Sequence, residues 1–205
     1  MHRFMDLFKM SRAEIHRELA GTAASHNRIL YFQRLVEKTH GNVEPRLILQ
    51  LHDVYWDTLL KNMKLRRGVL ATLRQLSKQG VRIAVVSNLT TRIQLRKLEN
   101  LGLTQYVDVL ITSEEAGVEK PHPLMFLLAL NKLGLRPSEA MMVGDNPVAD
   151  IEGAKALGIK TVLLTKDANL LKTLCDYRTP DFSIRRLPQI LEILVADRQE
   201  QRRAA

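Results

Sequence analysis

Residues 141–159 read MMVGDNPVADIEGAKALGI, and the fold of the whole chain can be predicted by starting from this stretch. Its apolar beginning ends at Gly144, which is followed by Asp145 and, five positions later, by Asp150. The residues after the second aspartate carry apolar side chains at helical spacing. The pattern therefore predicts a buried strand, an acidic loop and a helix.

The two aspartates of this loop have two interpretations. Carboxylates at the carboxyl end of a parallel strand lie where α/β sheets bind ligands, and oxygen ligands of this kind suit Mg²⁺. Asp is also favoured in turns and at the start of helices, so Asp145 and Asp150 could simply cap the next helix. The stretch alone leaves both interpretations open.

The composition limits the classes of protein to which the chain can belong. Its 205 residues are 45% hydrophobic and 26% charged, which is typical of a soluble globular protein. No apolar run reaches the ~20 residues that cross a bilayer, and the N-terminus lacks the pattern of a secretory signal. Cys175 is the single cysteine, so no internal disulfide forms. We therefore expect a cytoplasmic protein without a membrane partner.

The net charge of +9 raises the question of a nucleic-acid partner, because basic surfaces neutralise phosphates. The basic residues are scattered along the chain, however, and many read as charges on helix faces, among them Arg96 and Lys97. Aromatic residues make up only 5% of the chain and are not interleaved with the basic ones. The sequence offers no platform for stacking bases, so nucleic acid is not the expected partner.

Residues 1–66 have the pattern of a helical region. Ser11 stands three residues before Glu14, which is the spacing of a capping box, and Ser25 precedes a second periodic segment that it could cap. Pro45 lies near the start of a third segment. We predict helices here and no strand.

From residue 67 the pattern changes to short apolar strands that alternate with helices. Such alternation implies a parallel sheet with right-handed crossovers and helices on both faces. We assign residues 67–196 to this α/β core and residues 197–205 to a polar tail. The predicted strands are Val81–Val86, Val107–Ile111, Ala140–Val143, Lys160–Leu164 and a short edge element in Asp181–Ile184.

Polar side chains follow three of these strands. Ser87 and Asn88 come after the first, Lys120 lies beyond the second, and Asp145 follows the third. Because parallel strands bring such ends to one rim, we expect a shared site there. A hydroxyl can hold phosphate oxygens, a lysine can neutralise their charge, and carboxylates can hold a bridging Mg²⁺. Each residue also has a simpler interpretation, as a helix cap or a solvated loop charge.

Three stretches in this order resemble motifs of the haloacid dehalogenase (HAD) superfamily, in the group with a helical C1-type cap. They are VVSNLT with Ser87, EKPHP with Lys120, and VGDNPVAD with Asp145 and Asp150. The phrases GTAASHNRILYFQRLVE and VYWDTLL are similar to the cap of such proteins. The resemblance implies a Rossmann-like α/β sheet preceded by an all-helical cap in residues 1–66.

The resemblance also implies a role for each matching residue. Ser87, with Asn88 beside it, would bind the transferring phosphoryl group, and Lys120 would steady its charge and that of the nucleophile. Asp145 would be a ligand of Mg²⁺, and Asp150 would support the metal shell. Ser87 and Lys120 are thus the expected catalytic residues.

One motif of the superfamily has no match in the sequence. In the superfamily an Asp-x-Asp pair followed by Thr, at the end of the first strand, supplies the nucleophile and the general acid/base. Asp6 is followed two positions later by Phe8, and Asp53 and Asp57 lie four apart in a helical pattern, so none of them fits. We therefore expect a chain that begins inside the cap and lacks the nucleophile strand.

In the superfamily that strand is central and lies between the strands that end at Ser87 and Asp145. Its absence would leave backbone groups unpaired at ~1–3 kcal/mol for each buried group, and a net stability of ~5–15 kcal/mol cannot offset many of these. The two flanking strands would pair directly, another polypeptide segment would fill the gap, or the fragment would fold poorly.

These expectations lead to a HAD-like hydrolase, a Mg²⁺-dependent phosphatase-type module for a small phosphorylated metabolite, which this chain alone would not turn over. The alternative is a non-catalytic module that binds phosphate or a partner. In the cap, His26, Asn27 and Arg28 are candidates for selecting the substrate, although they could equally form the first turn of a helix.

Overall fold

The secondary structure comes from a computed structural model that describes residues 2–204. These residues form ten α-helices and five β-strands. In chain order the elements are α1 (His2–Glu18), α2 (Arg28–His40), α3 (Pro45–Asn62), α4 (Val69–Lys78), β1 (Ala84–Ser87), α5 (Thr91–Asn100), β2 (Val109–Thr112), α6 (Ser113–Ala116), α7 (Pro123–Leu133), β3 (Met141–Gly144), α8 (Gly153–Lys155), β4 (Lys160–Leu164), α9 (Ala168–Thr173), β5 (Phe182–Ile184) and α10 (Ile190–Ala204). None of the described helices combines the length and hydrophobicity of a membrane-spanning segment.

The chain divides into two compact units. The first comprises Met1–Lys64, Ser87–Gly102 and Ile111–Glu119, and the second comprises Leu65–Val86, Leu103–Leu110 and Lys120–Ala205. This is a division by contacts in space, so the domain boundaries at residues 66 and 196 stay a prediction.

Helices α1, α2 and α3 confirm the helical character of the N-terminal third of the chain. Their apolar side chains meet in a core around Phe32, Leu35, Val36 and Ile48. Helix α2 ends at Gly41, whose φ of 75° is the left-handed conformation that glycine adopts without steric cost.

Both serine caps that the sequence suggested for this region are wrong. Ser11 lies inside α1, where it is completely buried and its Oγ has no hydrogen-bond partner among the described residues. Helix α2 is capped by Asn27, whose side chain accepts a hydrogen bond from the N–H of Ile29. Ser25 instead bonds to a residue far along the chain, a contact that local spacing cannot reveal.

The second unit is built on a three-stranded sheet in the order β3-β4-β5. All pairs are parallel, with Val143 opposite Val162 and Leu163 opposite Ser183. Strand β4 is central, and its Val162 and Leu163 are fully buried because both faces of a parallel sheet are covered. The α/β fold with parallel strands is therefore confirmed.

All five predicted strands are present, although the first begins three residues later, and the second two residues later, than their apolar patterns suggested. The N–H of Ile83 donates to the Asp108 carboxylate at 2.7 Å, and the Ile83 carbonyl accepts from the N–H groups of Asp108 and Val109. A side-chain acceptor thus replaces the backbone carbonyl that a regular strand pair would offer to Ile83, and β1 starts at Ala84.

Strands β1 and β3 belong to different sheets, since β1 pairs with β2 while β3 pairs with β4. Both strands are only partly buried along their whole length, unlike β4. The hypothesis that these two strands close up and pair directly is therefore wrong for the described residues.

Candidate functional site

Lys120 is held between the end of β1 and the loop after β3, in the second unit. Its ammonium donates to the carbonyl of Val86 at 2.6 Å and to Asp150 Oδ1 at 2.7 Å. The Lys120 side chain is 11% exposed and that of Asp150 is 7% exposed. Separating the two side chains would leave a buried charge without compensation, which is energetically costly. The ion pair therefore holds both side chains in place.

The other oxygen of Asp150 organises the loop backbone. Asp150 Oδ2 accepts hydrogen bonds from the N–H groups of Asp145 and Asn146, at 3.1 and 3.0 Å. Its side chain lies so close to Gly144 that a Cβ atom at that position would overlap it. Glycine is therefore required at the end of β3 because the carboxylate occupies the space of a side chain.

The segment after this loop differs from the regular helix that its apolar spacing predicted. Asn146 Oδ1 accepts from the N–H groups of Val148 and Ala149, and Pro147–Glu152 forms a π-helical turn before the short α8. The N–H of Ile151 reaches the carbonyl of Asn146 at 3.4 Å, which is the wider spacing of a π turn. The cap is thus Asn146, and neither aspartate caps the helix.

The two aspartates differ in what they offer to a metal ion. Both oxygens of Asp150 already accept hydrogen bonds, whereas the Asp145 side chain is exposed. Among the described residues there is no group of three or more His, Cys, Asp or Glu side chains that could hold a metal. Mg²⁺ is commonly bound through one or two carboxylates plus waters and substrate phosphates, so Asp145 fits such an ion and Asp150 fits a supporting role. The metal role of both stays a prediction.

Ser87 and Asn88 are the last residue of β1 and the residue after it, and both are partly buried. They belong to the first unit, in which Leu89 is buried against Trp56 and Ile93. The structure thus brings Lys120, Asp145 and Asp150 together in one unit and assigns Ser87 and Asn88 to the other, directly after Val86 in the chain.

The three candidate residues of the cap have different surroundings. Asn27 is the N-cap of α2, and His26 Nδ1 contacts the Glu119 carboxylate. Arg28 donates to the His26 carbonyl at 2.6 Å, and its guanidinium lies 5.5 Å from the ring centres of both Tyr31 and Trp56. Their role in substrate selection stays a prediction.

Two residues near these candidates were missed by sequence reasoning. Glu119, 6% exposed, accepts from Ser25 Oγ at 2.6 Å. Its position beside Lys120 in EKPHP was the available signal. Lys97, which reads as a helix-face charge, has its ammonium 5.3 Å from the centre of the Trp56 ring. Burial, and then repulsion from Arg28, lower the pKa of Lys97 from its usual value.

The fold and this loop define the class of protein. It is an α/β protein with a parallel sheet, a helical N-terminal region and polar residues at the ends of its strands. A family model described as haloacid dehalogenase-like hydrolase matches residues 4–164. The chain belongs to this family, as its motifs indicated.

Similar proteins with assigned activities include phosphatases. The chain is 51% identical over 160 residues to a ribulose-1,5-bisphosphate 5-phosphatase of Halopiger xanaduensis, covering 78% of this chain and 67% of that protein. It is 32% identical over 188 residues to a glyceraldehyde 3-phosphate phosphatase of Methanopyrus kandleri, covering 90% of this chain and 81% of that protein. Among solved structures, a 2-haloacid dehalogenase from Pseudomonas syringae matches with a TM-score of 0.69 at 25% identity, over 93% of this chain and 80% of that one.

Proposed function

We propose that the protein is a phosphatase-type module for a small phosphorylated metabolite, with Mg²⁺ as its cofactor. The observation that carries the proposal is the buried Lys120–Asp150 ion pair at the strand ends. A cation fixed by two acceptors is preorganised to stabilise the oxygens of a phosphoryl group, because it need not reorganise when charge develops there. The phosphatase relatives support the same reaction class.

Asp145 is the residue that would hold Mg²⁺, since its carboxylate is exposed and Asp150 is fully engaged in shaping the loop. When bound, the ion would supply positive charge to the phosphoryl oxygens. Ser87 and Asn88, at the end of β1, are proposed to donate hydrogen bonds to the same group.

Two of the relatives are named as phosphatases of ribulose-1,5-bisphosphate and glyceraldehyde 3-phosphate, which supports a proposal for the substrate class. We therefore propose a small sugar phosphate. The 205 residues contain no Asp-x-Asp pair, so we further propose that they bind the phosphoryl group but do not turn it over by themselves.

Binding and turnover can be measured separately. We expect orthophosphate to bind in calorimetry and to bind more tightly with Mg²⁺, and we expect no release of phosphate from ribulose-1,5-bisphosphate or p-nitrophenyl phosphate. Asp145→Asn is expected to remove the effect of Mg²⁺, whereas Asp53→Asn, another exposed aspartate, is not.

Two results would contradict parts of this proposal. Absence of orthophosphate binding with and without Mg²⁺ would overturn the site itself. Mg²⁺-dependent hydrolysis that Asp145→Asn abolishes would overturn the prediction that the chain lacks turnover and would establish it as an active phosphatase.

A second candidate function is a non-catalytic module that takes up a strand from another polypeptide. The observation that favours it is that β1 and β3 have one sheet neighbour each among the described residues and lie in separate sheets. An extended peptide can add to such an edge through its main-chain hydrogen bonds. A peptide strand ending in Asp-x-Asp distinguishes the candidates: recovered hydrolysis supports the phosphatase, and tight binding without turnover supports the module.

A further inference from the structure

A cavity lies in the second unit at the carboxyl ends of β4 and β5, outside the proposed phosphoryl site. Its volume is about 220 Å³. It is lined by residues that directly follow the two strands, with Thr165 and Lys166 after β4 and Arg185 after β5. Ligands of open α/β sheets bind outside the carboxyl ends of the strands, so the position of the cavity favours a binding site.

Hydrogen bonds fix the backbone around this cavity. The N–H of Thr165 donates to the carbonyl of Ile184 at 2.9 Å, which joins the two strand ends. Gln189 Oε1 accepts hydrogen bonds from the N–H groups of Arg185 and Arg186, at 2.9 and 3.0 Å. The walls of the cavity are therefore ordered before a ligand binds, which lowers the entropy cost of binding.

The charge of the cavity favours an anion. Lys166 and Arg185 are both exposed, and neither forms an ion pair with a carboxylate in the part of the chain that the structure describes. Asp167 is the one carboxylate among the described lining residues. Its Oδ1 accepts from the N–H groups of Asn169 and Leu170, at 2.9 and 3.1 Å, so it caps α9 and its charge is partly compensated.

The uncharged donors of the cavity also suit an oxyanion. The hydroxyls of Thr165 and Ser183 belong to its lining residues. Thr165 Oγ1 accepts from the N–H of Asp167 at 3.1 Å, and its own hydrogen can still be donated because a hydroxyl has one donor and two acceptor sites. The cavity is smaller than the roughly 300–1,000 Å³ of pockets that hold drug-sized ligands, so its ligand is small.

We propose that this cavity is a second phosphate site, which binds orthophosphate or the phosphate group of a small monoester through Lys166 and Arg185. Arg presents a planar fork that matches phosphate oxygens, and Lys adds a point charge. The hydroxyls of Thr165 and Ser183 supply further donors. No residue of the cavity belongs to the site at the ends of β1 and β3, so this inference does not rest on the proposed function.

Backbone amide shifts in proton–nitrogen correlation NMR spectra of the full chain distinguish the two sites. Orthophosphate is titrated without Mg²⁺ and at constant ionic strength, because salt screens exposed charges. We expect saturable shifts at the amides of Lys166, Ser183 and Arg185, while shifts at Asn88 and Asp145 report the other site. A second titration uses glycerol 3-phosphate. Tighter binding than that of orthophosphate assigns the cavity to a monoester, and binding that is no tighter assigns it to orthophosphate.

The matched variants are two double substitutions that remove the same charge. Lys166→Gln with Arg185→Gln removes both cations of the cavity, whereas Lys172→Gln with Arg186→Gln removes two exposed cations that do not line it. The first variant should weaken binding about tenfold, since two exposed ion pairs together approach the ~1.4 kcal/mol of a factor of ten. The second should bind nearly as the parent protein does. All four side chains are exposed, so both variants should fold, which their thermal midpoints verify.

The inference is overturned if the amides of the cavity show no saturable shift, or if Lys166→Gln with Arg185→Gln binds as tightly as the parent protein. Equal weakening in both double variants also overturns it, because general attraction to a basic surface would then account for the binding. Shifts at the cavity without shifts at Asn88 and Asp145 support this inference and contradict the proposed function. Shifts confined to Asn88 and Asp145 do the reverse.

Discussion

Replacement of Lys120 by methionine tests the central interaction of the site. Methionine keeps much of the length of the side chain but removes the charge and all three donors. The Asp150 carboxylate, 7% exposed, would then keep its two backbone donors and lose its cation, and the Val86 carbonyl would lose a donor at 2.6 Å.

The expected loss is large because both partners are buried. Removing one partner of a buried ion pair typically costs ~3–5 kcal/mol, which is a large part of a net stability of ~5–15 kcal/mol. With a urea dependence of about 2 kcal/mol per molar, the denaturation midpoint should fall by roughly 1.5–2.5 M.

Urea denaturation followed by circular dichroism measures this loss. Arg178→Met is the control within the same unit, because it removes a cation that pairs with Glu152 at 2.8 Å while 52% exposed to solvent. An exposed pair contributes little, so its midpoint should stay nearly unchanged. The double variant Lys120→Met with Asp150→Asn should recover part of the loss, since it no longer buries an unpaired charge.

A stabilising role of the Lys120–Asp150 pair is refuted if Lys120→Met lowers the midpoint no more than Arg178→Met does. This role is also refuted if the double variant loses as much free energy of unfolding as the two single variants together, because the two residues would then not interact.

Two further predictions concern the same unit. Gly144→Ala would place a Cβ atom against the Asp150 side chain, so we expect a loss of ~1–3 kcal/mol on urea denaturation, and a loss below that range would mean that the loop yields freely. For Asp181, partial burial raises the carboxyl pKa, but hydrogen bonds from Thr161 and Lys155 outweigh burial and set the pKa below the usual 3.8. The stabilisation that ionised Asp181 gives the folded state is present above the usual pKa of 3.8, and it is lost as the pH falls through the lowered pKa. Asp181→Asn should therefore flatten the decline of the free energy of unfolding between about pH 5 and about pH 3, and an unchanged decline would contradict the assignment.

The elements that carry the site could be predicted because each depends on residues close together in the sequence. Apolar runs of four or five residues and the spacing of Leu and Ile in the helices depend on local periodicity, which tertiary packing left intact in β3, β4 and α7. The motif order predicted that Lys120 would lie near the acidic loop, and Lys120 does donate to Asp150, although the strands that precede the two residues belong to different sheets among the described residues.

Helix starts were predicted less well, for a physical reason. Ser25 has the chemistry of a cap, but its hydroxyl donates to Glu119, which is 94 positions away. Ser11 has the spacing of a capping box, yet it lies inside α1, which begins at His2, and its side chain is completely buried. Local hydrogen-bonding potential cannot show which distant partner competes for the same atom.

The sequence by itself determined the family, the order of strands and helices, and the residue types at the strand ends, since these follow from periodicity and from short motifs. Only the tertiary structure decided that both oxygens of Asp150 accept hydrogen bonds, one from Lys120 and one from the loop backbone, while Asp145 stays exposed. It also decided that the Lys97 ammonium lies over the Trp56 ring without a carboxylate partner among the described residues. Burial and charge compensation depend on neighbours in space, which a linear pattern does not contain.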